Sequence, residues 1–253
     1  MLKKLGYIVI GFILLLIVWQ LIIQIGRYEE ALLPSPLSVA KAILTLIVDG
    51  TLWVHLRVSL LRFAIGYLLA IIPAIILGML LGRMRCILQI VDPIIQVLRP
   101  VSPIAWSPFI VLWFGIGDMP AIVIIFIAAF FPVLLTTISG VKKIDQDYLK
   151  IAENLEVRRL DLFVKFIFPA VFPAIVSGLH IALGTAWIFL VSGEMVGAQS
   201  GLGFLIVDAR NTLNLDFVLA GIIFIGVIGL ILDRLVGLFE QWVGRHWGTV
   251  PRN

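Results

Sequence analysis

The chain has 253 residues, of which 61% are hydrophobic and 13% are charged, and its mean hydropathy is +1.14. The charged fraction is about half that of an average globular protein, so a soluble domain of this composition would expose large apolar patches. The composition therefore predicts an integral membrane protein. The net charge of +4 does not indicate nucleic-acid binding, because the basic residues lie in short segments beside apolar stretches rather than along one solvated face.

Six apolar stretches are predicted to cross the membrane, each near or above the ~20 residues that a transmembrane helix needs. The first begins with two lysines, like a signal peptide. Its apolar run is too long for one and no small-residue cleavage pattern follows, so we interpret it as an uncleaved anchor. We predict an all-α, polytopic membrane protein of about six transmembrane helices. The predicted spans are residues 5–25, 59–82, 87–115, 119–140, 170–193 and 217–239.

A short additional helix is predicted between the first two spans. The sequence Leu33-Pro34-Ser35-Pro36 precedes an apolar stretch that ends at Val48. Such an opening is typical of a helix start, because proline fits the first turn of a helix. We expect this helix to lie at the outer membrane surface.

The third predicted span has prolines at positions 100, 103 and 108. Proline removes a backbone donor and disfavours helical geometry in the residue before it, so this stretch is predicted to be irregular or sharply kinked. Irregular backbone at membrane depth is tolerated only where it is buried in protein or lines a watery cavity. The stretch is therefore a candidate translocation path, with a kinked helix held by packing alone as the alternative. The path residues predicted here are Arg99, Pro100, Ser102, Pro103, Trp106 and Ser107.

A charged, helix-compatible segment, from Leu149 to Pro169, separates the fourth and fifth spans. Its apolar residues recur along one face and most of its charges fall elsewhere, as in a helix that offers an apolar face to a partner. A helix lying on the lipid surface is the alternative. The apolar positions are Leu155, Leu160, Phe163, Val164 and Ile167, and the charged ones are Arg158, Arg159, Asp161 and Lys165.

The lysines and arginines predict the orientation. With the N-terminus in the cytoplasm, most basic residues fall in cytoplasmic segments, and both termini are then cytoplasmic. The single cysteine, Cys86, excludes an intrachain disulfide. The basic residues left on the outer side are chiefly Arg27, Lys41, Arg57, Arg62 and Arg210.

Several kinds of chemistry are not indicated. The sequence has no G-x-x-x-x-G-K-[ST] phosphate-binding motif, its three histidines are too dispersed to suggest a metal site, and no nucleophile–base–acid set indicates an enzyme. We attribute the glycines of the second and last spans to close helix packing rather than to a cofactor. They are Gly66, Gly78, Gly82, Gly221, Gly226 and Gly229.

Two regions resemble a known family. The segment from Leu149 to Pro169 is similar to the cytoplasmic E-A-A-x-x-L-G loop of ABC-transporter permeases, with Lys150 in place of the family's glutamate and Glu156 in place of its usual glycine. The run L-R-P-x-x-P-x-A-W-x-P-x-x-x-L-W-F-G-x-G-[DE], at residues 98–118, resembles the nitrate, sulfonate, taurine and bicarbonate branch of these permeases. Residues 178–187, 194–206, 208–211 and 229–234 suggest the same branch.

The resemblance implies a type I importer permease, a single transmembrane domain over residues 1–253 with a coupling loop at about residues 142–168. It implies two copies around one pathway, two cytoplasmic ATPase subunits that bind ATP and Mg²⁺, and an external solute-binding protein. This chain would bind no cofactor or metal and would catalyse no reaction. The residues expected to contact the ATPase are Ala152, Leu155, Glu156, Val157, Arg158, Leu160 and Phe163.

Glu194 lies at the end of the fifth span, where an ionisable residue is a functional-site hypothesis by default. Its role is a path or gate, a docking contact for the binding protein, or structural pairing. The glycine-rich run from Gly197 to Gly203 is a candidate re-entrant or gating loop. Arg62 and Arg99 are placed to attract an anion or to snorkel towards the membrane surface.

Other functions are less well supported. A secondary transporter would show inverted repeats and buried coupling residues, and a membrane enzyme would show a catalytic cluster, and the sequence has neither. Because selectivity in the family rests largely on the binding protein, the solute is left open. It is expected to be a small anion such as nitrate, a sulfonate, taurine or bicarbonate, with vitamin-precursor pyrimidines and aromatic acids as alternatives.

Overall fold

A computed structural model describes residues 2–26, 29, 32–144 and 161–246. This part of the chain is 89% helical and contains no strand, which confirms the all-α prediction. A 3-10 helix (Pro103–Trp106) precedes the fifth α-helix and a π-helix (Leu162–Ile167) precedes the seventh. The α-helices are α1 (Leu2–Gly26), α2 (Pro36–Val48), α3 (Thr51–Arg83), α4 (Arg85–Leu98), α5 (Ser107–Phe114), α6 (Asp118–Lys142), α7 (Phe168–Gly197), α8 (Leu202–Asn211) and α9 (Leu215–His246).

The predicted spans correspond to these helices. Among the described residues, α3, α6, α7 and α9 are each long and apolar enough to cross a membrane, and α4 with α5 adds a fifth span if the bent pair is counted as one. The first predicted span forms α1, whose described apolar part, Ile10–Gly26, is a shorter helix. All six apolar stretches are therefore helical, with the third divided in two. The helices that correspond to the other five predicted spans extend several residues beyond the predicted ends.

The short helix α2 begins where the sequence predicted. The Ser35 hydroxyl accepts a hydrogen bond from the Ser38 N–H at 3.2 Å, and Pro36 occupies the first turn, where its missing N–H leaves no bond unmade. Its apolar face is buried against α3 and α9. The buried residues of this face are Val39, Ala42 and Leu46.

The centre of the fold is a layer of three helices in which α6 packs between α3 and α7. A Cβ on Gly78 would lie 2.7 Å from the Thr137 Cβ, and one on Gly82 would lie 2.6 Å from the Val141 Cβ. Small residues permit this approach, and close backbone packing is a main source of helix association in lipid. Small residues recur at every fourth position of α3, at Gly66, Ala70, Ala74, Gly78 and Gly82.

The packing prediction is confirmed for the glycines of α3 and for two of the three in α9. A Cβ on Gly221 would lie 3.0 Å from Ile206, and one on Gly229 would lie 2.7 Å from the Trp187 Nε1. Gly226 differs, because no atom of the described chain lies within 4 Å of its would-be Cβ. Packing within one chain therefore does not account for Gly226.

A second apolar cluster joins the end of α3 and the end of α6 to the start of α7. It includes residues of the π-helix, so the chain that enters α7 is anchored on both neighbouring helices. The buried members are Met79, Val141, Leu162, Ile167, Val171 and Ile175.

Candidate functional site

The third predicted span is bent by 85° between α4 and α5. The bend falls at residues 99–102, where the chain leaves α4 at Arg99 and re-enters helical geometry at Pro103. Because proline cannot continue the hydrogen-bond pattern of the preceding turn, the break falls at the proline-rich run. The predicted irregular or sharply kinked backbone is confirmed.

Two glycines close the far end of this span. Gly115 and Gly117 have positive φ values of 75° and 139°, which residues with a Cβ rarely adopt. The Gly117 N–H donates to the Gly197 carbonyl oxygen at 2.8 Å, so the turn between α5 and α6 is tied to the end of α7.

A cavity of about 330 Å³ lies between this bend and the middle of α6 and α7. Of the predicted path residues, Arg99 and Pro103 line it. Pro100 and Ser102 are exposed at the bend beside it. Two other predicted path residues, Trp106 and Ser107, are half-buried and do not line the cavity. Glu194 lies in a separate cluster.

The walls of the cavity are mainly apolar and include two aromatic rings. Phe131 and Leu135 of α6 line it together with Ile181 and Phe189 of α7. Arg99 is the single charged residue among those that line the cavity, and it carries up to five N–H donors. The cavity therefore combines the positive charge of one exposed arginine with apolar surface.

The two threonines of the cavity are engaged by backbone carbonyls. The Thr136 hydroxyl donates to the Pro132 oxygen at 2.8 Å, and that of Thr185 donates to the Ala182 oxygen at 3.0 Å. The Thr185 hydroxyl also lies 3.3 Å from the Ala128 oxygen, whose usual helical donor is absent because Pro132 has no N–H. Both hydroxyls thus stabilise the proline-interrupted wall.

A buried ion-pair cluster lies at the end of α7. Glu194 is 1% exposed and Arg62 is 3% exposed, and the Arg62 Nη1 donates to the Glu194 Oε1 at 2.9 Å. The Ser59 hydroxyl lies 2.8 and 2.9 Å from the two carboxylate oxygens, and the Gly203 N–H donates to Oε2 at 2.9 Å. This full set of partners offsets the large cost of burying a charge.

The turn after α7 is shaped around the Glu194 carboxylate. Gly201 has a φ of 104°, and a Cβ there would collide with that carboxylate. A Cβ on Gly203 would lie 2.5 Å from the Val191 oxygen and 2.8 Å from the Glu194 Cβ. Glycines are required at these two positions because the backbone approaches the Glu194 side chain so closely. The run from Gly197 to Gly203 forms a tight turn into α8.

Arg62 connects three elements at this end of the molecule. Its guanidinium bonds to Asp118 at the start of α6 at 2.5 Å and to the Ser200 carbonyl oxygen at 2.6 Å, in addition to Glu194. The Asp118 side chain is 66% exposed, so the cluster extends from a buried pair to the surface. Of the three roles considered for Glu194, this geometry favours structural pairing.

Sequence reasoning did not connect Glu194 to its partners. Ser59 and Asp118 were not singled out, although Arg62 was. A signal was available, since a carboxylate followed at seven and nine residues by glycines suggests a turn folded over an acidic side chain. The partner helix lies 132 residues away in sequence and could not be inferred.

A further polar cluster, also missed, joins α7 to α9. His180 Nδ1 lies 2.7 Å from the Glu240 Oε2, and Nε2 lies 3.0 Å from the Asp233 Oδ1. The Ser177 hydroxyl donates to Glu240 at 3.1 Å. The imidazole therefore bridges two carboxylates about two turns apart on α9 and fixes the register of the two helices.

The predicted coupling segment lies mostly outside the described residues. This applies to Ala152, Leu155, Glu156, Val157, Arg158 and Leu160. Phe163 falls in the π-helix, where the backbone but not this side chain is described.

Comparison with known proteins identifies the class. Residues 74–245 match the family described as the binding-protein-dependent transport system inner membrane component. An inward-facing structure of the MetNI methionine ABC transporter superposes with a TM-score of 0.61 at 17% identity, covering 78% of this chain and 95% of that one. This likeness shows the fold, which is that of an ABC importer permease.

Relatives whose similarity extends over almost the whole chain identify the family. The nitrate import permease protein NrtB of Leptolyngbya laminosa is 40% identical over 92% of this chain and 86% of its own length. The taurine transport system permease protein TauC of Escherichia coli K12 is 37% identical over 87% of this chain and 82% of its own length. The putative aliphatic sulfonates transport permease protein SsuC of Bacillus subtilis is 36% identical over 88% of this chain and 81% of its own length.

The chain belongs to the binding-protein-dependent transport system permease family and is a transmembrane subunit of an ABC importer. It is a multi-pass inner-membrane protein and a transport subunit. The family implies an ATPase and a binding protein as partners.

Proposed function

We propose that this chain forms the pathway of an ATP-driven importer for a small anion, such as nitrate, a sulfonate, taurine or bicarbonate. It acts as a homodimer, with two ATPase subunits bound at the segment around Leu155 and a solute-binding protein on the outer side. ATP hydrolysis takes place on the partner subunits, which hold ATP and Mg²⁺.

The observation that carries this proposal is the continuity of α7. The helix begins directly after the coupling segment, contributes Ile181, Thr185 and Phe189 to the cavity wall, and ends at the Glu194 cluster. A helix of this length spans about 45 Å, since each residue adds ~1.5 Å. We expect motion at one end to be carried along the helix to the cavity and to the far cluster.

Transmission is supported by the apolar cluster before α7. Leu162 and Ile167 are buried against Met79 of α3 and Val141 of α6. When ATP closes the ATPase pair, the coupling segment is pulled, and α3, α6 and α7 rock together. The cavity beside Arg99 then alternates between inward and outward access.

The orientation follows from the basic residues. With both termini in the cytoplasm, the coupling segment is cytoplasmic and the Arg62–Glu194 cluster lies at the outer ends of α3, α6 and α7. The cluster holds these ends together during rocking. Docking of the binding protein on this side would bring it close to the exposed Asp118 carboxylate.

The homodimer is supported by apolar surface on the bent span. Several residues of α4 and α5 are more than half exposed, and a second copy would cover them and enclose the pathway. They are Ile94, Val97, Leu112 and Trp113.

The proposal is tested by reconstitution. The chain is co-expressed with a candidate ATPase and a candidate binding protein from the same genome, and the purified complex is placed in liposomes. We expect two copies of this chain per two ATPase subunits, and uptake of an anion that requires ATP and the binding protein. An ATPase variant unable to hydrolyse ATP is the matched control. Failure of this chain to bind the ATPase, or uptake driven by an ion gradient without ATP, would overturn the proposal.

A further inference from the structure

We propose that the solute leaves the cavity beside Arg99 along one polar face of α4, which forms a hydrated exit path to the cytoplasm. This polar face holds every charged or amide side chain of the helix, together with the arginine that follows it. The inference rests on the proposed function, because it names the residues that would line the cytoplasmic half of the same pathway. The residues of the polar face are Arg85, Gln89, Asp92, Gln96 and Arg99.

The spacing of these residues along α4 is the first argument. They recur at alternating intervals of four and three residues, so they lie within an arc of about 80° on a helix that turns ~100° per residue. The opposite side of α4 is apolar, and its residues Ile90, Ile94 and Val97 are more than half exposed. Leu88 and Ile95 lie between the two sides and are buried in the core. The helix is therefore anchored along one edge and presents a polar and an apolar face.

The depth of α4 in the membrane is the second argument. A single residue separates α3 from α4, and Gly82 in the last turn of α3 packs against Val141 in the last turn of α6. At the other end of α4, Arg99 lines the cavity together with Phe131 and Leu135, near the middle of α6. In the proposed orientation, α4 therefore runs from the cytoplasmic end of the central helices to about half their depth. It does not lie flat on the membrane surface.

The surroundings of the polar face are the third argument. Within the face, the Gln96 Nε2 donates to the Asp92 Oδ2 at 2.5 Å. In the described part of the chain, no hydrogen bond or ion pair joins these side chains to another helix. Charged and amide groups at membrane depth are costly in lipid unless they are paired or hydrated. Because the face meets the cavity at Arg99, water in the cavity can extend along it, while the apolar side of α4 contacts lipid or the second copy.

Paired cysteines on the two sides of α4 test the inference in the assembled permease–ATPase complex, with Cys86 replaced by alanine. Gln89→Cys is compared with Ile90→Cys, and the second pair is Gln96→Cys with Val97→Cys. The members of each pair are adjacent in sequence, lie at nearly the same depth and are exposed in the single chain, so they differ chiefly in the side of α4 that they occupy.

The reagent is 2-sulfonatoethyl methanethiosulfonate, which is charged and does not cross lipid, applied to the cytoplasmic side of inside-out membrane vesicles. Without nucleotide, we expect the two glutamine positions to react at least about tenfold faster than their neighbours, because the thiolate that reacts is disfavoured in apolar surroundings.

Uptake connects the labelling to transport. Complete modification of Gln96→Cys should block ATP-driven uptake, because the added group lies in the path, whereas the same treatment of the Val97→Cys complex should leave uptake unchanged. An ATPase variant that binds but does not hydrolyse ATP holds the complex with the cytoplasmic route closed. In that state we expect labelling of Gln96→Cys to slow by about tenfold, as the thiol loses contact with water.

The outcomes separate this inference from the proposed function. In a complex that imports an anion with ATP, equal labelling within each pair would place α4 in water at the membrane surface and overturn the inference. Absence of labelling at both glutamine positions would show a dry contact with the second copy, and uptake that continues after complete modification of Gln96→Cys would place the path elsewhere. If the chain does not bind an ATPase, the proposed function fails, and the exit path fails with it. Selective labelling with loss of uptake would support both.

Discussion

The Arg62 guanidinium on α3 lies 2.9 Å from the Glu194 carboxylate on α7, and both side chains are almost completely buried. The two helices reach this pair from opposite sides of α6, whose first residue, Asp118, contacts the same guanidinium. One arginine thus ties together the ends of all three central helices. Loss of Arg62 leaves the Glu194 charge buried without its cation, whereas Arg62 without Glu194 still pairs with Asp118.

The first prediction concerns this pair. Arg62→Met should destabilise the protein by about 3 kcal/mol, because it leaves the Glu194 charge buried without its partner. The double variant Arg62→Met/Glu194→Met should recover much of the loss, since apolar residues of similar volume replace both charges. Thermal unfolding of the purified complex measures both effects. Arg210→Met, at an exposed position, is the control, and equal stability of the single and double variants would refute the pairing role.

The second prediction concerns the turn over Glu194. Gly203→Ala should destabilise the protein by roughly 2 kcal/mol, because the new methyl group overlaps the Val191 carbonyl and the Glu194 side chain. Gly184→Ala in α7 is the matched control, since no described atom beyond its chain neighbours and the local backbone of α7 lies within 4 Å of its would-be Cβ. Alanine there should be neutral or stabilising by up to ~1 kcal/mol through helix propensity. The same unfolding measurement compares them, and a tolerated Gly203→Ala would show that the turn is less tightly packed.

The third prediction concerns access to the bend. A cysteine at Ser102, which is exposed beside the cavity, should react with a small aqueous thiol reagent at a rate that changes when ATP is added. Cys86 is replaced by alanine so that one thiol is present. A cysteine at the half-buried Ser107 should react more slowly, and one at the buried Ile110 should not react. Absence of labelling at Ser102 in every nucleotide state would favour a bend that serves packing alone.

The fourth prediction concerns coupling. Leu155→Asp/Phe163→Asp should abolish uptake and transport-linked ATP hydrolysis while membrane insertion is unaffected, because charges replace the two expected apolar anchors of the ATPase contact. Uptake, ATP hydrolysis and the amount of membrane-inserted protein are measured together.

The control for coupling is Met84→Asp/Cys86→Asp, which places one charge at the exposed position between α3 and α4 and one at an exposed position in the first turn of α4. It should retain both activities. Normal uptake by the Leu155/Phe163 double variant would remove these residues from the coupling contact.

The membrane class, the positions of the helices and the break at residues 99–102 follow from the sequence alone. Hydropathy and proline act over a few neighbouring residues, so their consequences can be predicted without knowing the fold. The four-residue spacing of Gly66, Ala70, Ala74, Gly78 and Gly82 likewise determines which face of α3 approaches α6. The helix start at Pro36 is a local feature of the same kind.

Only the tertiary structure decided the pairing of Glu194 with Arg62 and Ser59, the bridge from His180 to Asp233 and Glu240, and the cavity between Arg99 and Phe189. Each joins residues at least 50 positions apart, on helices whose relative rotation depends on how every side chain in the interface packs. A rotation of one helix by a single residue turns a side chain by ~100° and separates any such pair. Hydropathy places Glu194 at the end of a span, and the packing of α3 against α6 determines that Arg62 meets it there.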